Sequence, residues 1–131
     1  MDEKYIQEIF SVLEGILPLK WSKVAFYAGY ANESYTMKYF VDCGHGYIDC
    51  FSLQEVKKPQ IIRAFLSIDK IISAERKTMD EKDRWNVIGL FIDSTGKVKC
   101  EFDYTDISEN SIEYERDWQK KHMIAECKES Q

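Results

Sequence analysis

Reactive side chains gather in a few places along this 131-residue sequence. His45 sits between Gly44 and Gly46, with Cys43 and Cys50 nearby and His122 far downstream. A metal site wants several clustered ligands, and this irregular set matches no recognised zinc spacing. His45 is therefore expected as an exposed turn histidine. Asp103 and Asp106 could be paired around magnesium, but such a site needs converging oxygens. With His45 they are the only ligands on which a metal-dependent hydrolase could be built. The densest grouping runs from Glu101 to Asp117, where Glu101, Asp103, Asp106, Glu109, Glu113, Glu115 and Asp117 meet a single base, Arg116. Tyr104 and Tyr114 are interleaved with these acids. Acidic and ring-bearing side chains in one stretch suit contact with a basic partner surface.

Other chemistries find no support. The sequence contains no G-x-x-x-x-G-K-[ST], no Rossmann glycine pattern and no G-x-S-x-G elbow. Neither histidine has a local Ser or Cys arrangement suggesting a charge relay. No catalytic residue, cofactor or metal is assigned.

The acidic stretch must be positioned by the elements before and after it. Val87 to Ile92 is an apolar run, followed by the turn signal Asp93-Ser94-Thr95-Gly96. Val98, Cys100, Phe102 and Tyr104 then alternate with Lys97, Lys99, Glu101 and Asp103. This pattern predicts a hairpin in which Gly96 takes a positive φ. After it, Ser111 is placed to cap a last helix, with Tyr114, Trp118 and then His122 or Met123 on one side. Glu113, Glu115 and Asp117 at its start and Lys120 and Lys121 near its end suit the helix dipole. Part of the acidity thus has an ordinary structural cause.

Earlier in the chain, Tyr5, Ile6, Ile9, Phe10, Val12, Leu13, Ile16 and Leu17 recur at helical spacing. Glu3, Lys4, Gln7, Glu8 and Glu14 lie opposite, and Gly15 and Pro18 end the pattern. Val24 to Tyr30 and Tyr35 to Val41 alternate as two strands around the polar turn Ala31-Asn32-Glu33-Ser34. Cys43-Gly44-His45-Gly46 supplies a second turn, and Tyr47 to Phe51 a short third strand, with Ser52 to Lys58 read as a loop. Pro59 opens a second helix carrying Ile61, Ile62, Phe65, Leu66, Ile68, Ile71 and Ile72, expected to reach about Asp80 and to cover one sheet face. Arg76 and Lys77 read as part of a solvated face. Lys128 to Gln131 reads as a frayed tail. The order is α-β-β-β-α-β-β-α. It predicts an α+β fold: a single antiparallel sheet of about five strands with helices packed on it, in one domain spanning residues 1–131.

Hydrophobic residues make up 44% and aromatics 14%, enough for a core and against disorder. The net charge of -5 is unsuited to wrapping nucleic acid. No basic-then-apolar leader and no run of about 20 apolar residues occurs, so a cytoplasmic protein without membrane contact is expected. The four cysteines, Cys43, Cys50, Cys100 and Cys127, form no C-x-x-C and read as free thiols in a reducing compartment. Cys43 and Cys50 could pair if oxidised, and Cys100 is expected in the core.

The span ILPLKWSKVAFYAGYANESYTMKYFV resembles the amino-terminal signature of the YezG-like immunity (antitoxin) family. It has a helix ending near Pro18, Trp21 and Lys23 opening a strand, then Tyr27-Ala28 and a strand from Ser34 to Phe40. RWNVIGLFIDSTGKVKCEFDYTDI, with Tyr114-Glu115 and Trp118 following, resembles its carboxy-terminal signature. The resemblance covers roughly residues 13 to 123; between Cys43 and Lys82 it extends to pattern alone. It implies a cytosolic bacterial protein that binds and neutralises a toxin domain delivered between bacteria. Several such toxins are nucleases. On this reading the contacts with a cognate toxin of basic surface are Asp103, Tyr104, Asp106, Glu109, Glu113, Tyr114 and Glu115, in a 1:1 complex without turnover. A cytosolic adaptor or small-ligand-binding module using the sheet face is the alternative.

Overall fold

The computed structural model describes residues 4–31 and 34–124, with the side chains of Met123 and Ile124 left aside. Glu3, the turn residues Asn32 and Glu33, Cys127 and the tail from Lys128 lie outside the described residues. The elements are α1 (Lys4–Glu14), β1 (Lys23–Ala31), β2 (Ser34–Asp42), β3 (Tyr47–Asp49), α2 (Lys58–Lys77), β4 (Val87–Asp93), β5 (Val98–Asp103) and α3 (Ser111–Gln119). Their order is the expected α-β-β-β-α-β-β-α, and the fold is α+β. The chain divides into two compact units, Met1–Leu19 with Phe51–Arg84 and Lys20–Cys50 with Trp85–Gln131.

In the first unit α1 packs against α2. The α1 stripe buries Tyr5, Ile9 and Leu13, and α2 buries Ile61, Ala64, Phe65, Ile68 and Ile72. Beyond α1 the N–H groups of Gly15 and Ile16 close onto the carbonyls of Val12 and Leu13, so Ile16 is buried from a turn rather than from the helix. At the start of α2, Lys57 holds extended backbone and its N–H donates to Gln60 Oε1 at 3.1 Å. Pro59 lies in the first turn, where its missing N–H costs nothing. The helix stops at Lys77, short of the expected Asp80. The Thr78 hydroxyl donates to the Glu75 carbonyl at 2.7 Å. Arg84 reaches back to the carbonyls of Arg76 and Met79 at 2.9 and 3.0 Å. These donors satisfy carbonyls that another helical turn would otherwise have used.

The second unit holds an open antiparallel sheet of five strands in the order β3-β2-β1-β4-β5. Lys23 pairs with Asp42 on one side of β1 and with Asp93 on the other. That register places Ala25, Tyr27 and Gly29 on the same face as Phe91 and Gly89 of β4, and Val24, Phe26 and Ala28 on the opposite face with Ile92, Leu90 and Ile88. The β4–β5 turn has Gly96 at φ 94°. Asp93 Oδ1 accepts from the N–H and hydroxyl of Thr95 and from the N–H of Lys97, which lowers the Asp93 pKa.

The third strand is shorter than expected. It ends at Asp49, and Cys50–Ser52 turn as a 3-10 segment with Cys50 buried. Burial pushes the Cys50 thiol up to about 11. Cys43 is exposed, and none of Cys43, Cys50 and Cys100 forms a disulfide among the described residues. His45 is exposed in its turn, as expected. Cys100 corrects the expectation of a core position: it is only partly buried, because β5 is an edge strand whose Val98 is 48% exposed.

Candidate partner-binding face

The chain leaves β5 at Asp103, and local side-chain bonds fix its path from there. Asp103 Oδ1 accepts the N–H of Thr105 at 2.9 Å and its hydroxyl at 2.7 Å. Asn86 Nδ2 donates to the carbonyls of Tyr104 and Thr105 at 3.2 and 3.0 Å. Asp106 Oδ1 then accepts the N–H of Ser108 at 2.9 Å, which lowers the Asp106 pKa. Within the second of these Asx-type turns Ile107 drops into the core, 2% exposed. It joins Ala25, Tyr27, Phe40, Val87 and Trp118 in one apolar cluster on the α3 side of the sheet.

The α3 helix starts at Ser111, so the cap position falls on Asn110, one residue before the expected site. The Asn110 carbonyl accepts the first helical N–H, that of Tyr114, at 2.9 Å. Trp118 fixes the helix to the sheet. Its ring meets Tyr27 edge-on at 5.0 Å and stacks with Phe91 at 5.7 Å. Gly89 beneath it has no side chain to hold the indole off.

Seven residues were expected to form the contact surface, and the structure sorts them into two groups. Tyr104, 55% exposed, and Asp106, Glu109 and Glu113 face solvent. Asp103, Tyr114 and Glu115 are turned inward. The Tyr114 hydroxyl donates to Asp103 Oδ2. Glu115 lies 3.7 Å from Lys38 Nζ and accepts from Gln119 Nε2 at 3.1 Å. Partial burial pushes the Asp103 carboxyl up, but the hydrogen bonds from Tyr114 and Thr105 outweigh it and leave its pKa below the ordinary value. Burial, and then the bond to the Asp103 carboxylate, raise the Tyr114 hydroxyl. The inward group therefore holds the loop and helix that display the outward group.

Behind this surface, between β5 and α3, lies a cleft of about 590 Å³. Val87 and Gly89 of β4 lie at its base, Glu101 and Asp103 on one wall, and Tyr114, Asp117, Trp118 and His122 on the other. His122 Nε2 is 3.4 Å from Glu101 Oε1. Its ring lies against Phe91 and Trp118, at 4.7 and 4.9 Å between centroids. Burial lowers the His122 pKa; Glu101 opposes that, and Lys121 and Lys99 add to it. Sequence reasoning did not single out Glu101, Asp117 and His122 as one site. The signal available was the spacing of Tyr114, Asp117, Trp118 and Lys121, which puts all four on one helical face.

Among the described residues, no three His, Cys, Asp or Glu side chains converge to hold a metal ion. No helix of the described residues is long and apolar enough to cross a membrane. No curated protein matches the chain. A model of the family described as YezG-like immunity protein matches residues 2–131. With that match spanning essentially all of its length, the chain belongs to the YezG-like immunity protein family.

Proposed function

We propose that the protein neutralises a cognate toxin domain in the bacterial cytoplasm by binding it 1:1, without turnover. The toxin on this reading is a nuclease, whose need to hold phosphate gives it a basic cleft. The observation that carries the proposal is the display of Tyr104, Asp106, Glu109 and Glu113 on a loop and helix start pinned from beneath, in a member of an immunity family. A surface held in one conformation loses little entropy on binding. Exposed acids steer a basic partner and set its orientation, while an aromatic ring supplies contact area. A stable complex would bury on the order of 1,600 Å² in total.

Co-expression with the toxin encoded beside it tests the proposal. The expected result is a co-purifying stoichiometric pair and survival of cells that the toxin alone kills. Failure of the pair to associate, with toxicity persisting, refutes it.

A further inference from the structure

We propose that the cleft between β5 and α3 is a socket for a guanidinium group, supplied by an arginine side chain of the bound toxin. This inference rests on the toxin-binding reading and names the chemistry of one contact within it.

The shape of the cleft follows from its base. Gly89 lets the Trp118 indole sit down on the sheet, and the space beside the indole, between the β5 wall and the α3 wall, is left open. Its 590 Å³ falls within the roughly 300–1,000 Å³ usual for ligand pockets. The walls are chemically matched to a planar cation. Glu101 and Asp103 stand two residues apart on the same strand face, about 7 Å along β5. Asp117 lines the opposite wall with the half-buried ring of Tyr114, while the Trp118 ring is already packed by Phe91, Tyr27 and His122. A guanidinium carries five N–H donors in a rigid fork and stacks on aromatic faces. It can bridge carboxylates on two walls while lying against a ring. An ammonium is a compact, strongly hydrated charge and fits this geometry less well.

The carboxylates retain capacity for such a guest. Asp103 Oδ2 accepts one bond, from Tyr114, and a carboxylate oxygen has two lone pairs. Glu101 meets Lys99 at 3.3 Å through Oε2 and His122 at 3.4 Å through Oε1, but the Lys99 side chain is 72% exposed and each carboxylate oxygen has a second lone pair. Glu101, Asp103 and Asp117 face a single exposed lysine of the lining, Lys121, and burial favours the uncharged form of His122. At neutral pH the cleft is thus negative. The outward acids Asp106 and Glu109 lie on the loop leaving the same strand, where they can guide a basic partner toward it.

The intact protein is titrated with N-acetyl-arginine amide at millimolar concentration, followed by the Trp118 indole N–H resonance. N-acetyl-citrulline amide and N-acetyl-lysine amide serve as controls. The expected result is a saturable shift with the arginine compound, weaker with lysine and absent with the uncharged isostere. Glu101→Gln and Asp117→Asn, on opposite walls, should each reduce the arginine response about threefold or more. Together they should raise the toxin off-rate about tenfold. Thermal midpoints of both variants are measured alongside, and if one variant fails to fold the other still reads the socket. No arginine-specific shift, or an unchanged toxin off-rate in the folded variants, overturns the inference. Failure of the wild-type protein to bind the toxin would refute the broader function. The arginine titration would still decide the socket on its own.

Discussion

The indole of Trp118 lies so close over Gly89 that a Cβ at position 89 would stand 3.1 Å from Cζ2 and 3.3 Å from Nε1. The β4 backbone and α3 therefore meet through one ring and the absence of one side chain. Gly89→Ala should lift the indole by a few tenths of an ångström and loosen α3. The expected loss is about 1–3 kcal/mol, as for other overpacked sites. Urea denaturation followed by tryptophan fluorescence measures it. A variant as stable as the parent would show that the contact yields without cost.

Tyr114→Phe removes the hydroxyl that donates to Asp103 and keeps the ring. The site is only partly buried, so the expected destabilisation is about 1 kcal/mol. The more specific result is electrostatic. Without that donor the Asp103 carboxyl should titrate closer to its ordinary value, because a bond favouring the carboxylate is gone. Carboxyl-carbon NMR across an acid titration reads the change directly. An unaltered Asp103 titration contradicts the assignment of the bond.

Acid should destabilise this protein through groups acting in the same direction, first His122 and then Asp103 together with Asp93 and Asp106. His122 has a folded pKa below its ordinary 6.5, so the unfolded chain binds the proton more tightly. Its contribution is full above about 6.5 and is lost as pH falls toward the folded value. The Asp103 carboxyl is also depressed, so its contribution disappears at lower pH, below its ordinary 3.8. The melting temperature should therefore fall as pH is lowered below about 6.5, and fall again in strong acid. His122→Gln should flatten the first step and leave the second. A first step of equal size in that variant would place the proton elsewhere.

On the proposed function, Asp106→Lys combined with Glu109→Lys reverses two exposed charges that carry no load in the core. The association rate with the toxin should drop about tenfold or more at low salt and converge with wild type as salt rises. Some loss of loop stability follows from Asp106, which accepts the Ser108 N–H. Stopped-flow rates across a salt series, with melting curves, separate the two effects. Equal on-rates at every salt concentration would exclude this face.

The hairpin was legible because Asp93 to Gly96 spells a turn between an apolar run and a strand that keeps a period of two. The α+β order followed from the same local signals. Faces were harder to read. In β1 both alternating sets are apolar, since β1 is central and buried on both sides. In β5 the charged set looked like the solvent side, yet Glu101 and Asp103 stand under α3 and line the cleft. Alternation records polarity, and it cannot say that a later helix will fold back over a polar face and satisfy it with a tyrosine hydroxyl. For the same reason Asp103, Tyr114 and Glu115 looked equivalent to Asp106, Glu109 and Glu113. Which acids turn inward depends on partners from other elements: Lys38 of β2 for Glu115 and Tyr114 of α3 for Asp103.

The sheet order leaves β5 as one margin, studded with Lys99, Glu101 and Asp103, while on the other side β3 pairs only with Phe40 to Asp42 of β2. A charged margin repels many strands that try to pair with it. Copies of this chain should therefore not template one another into fibrils through β5. For a member of an immunity family, resistance to self-seeding bears on how much folded protein a cell can hold.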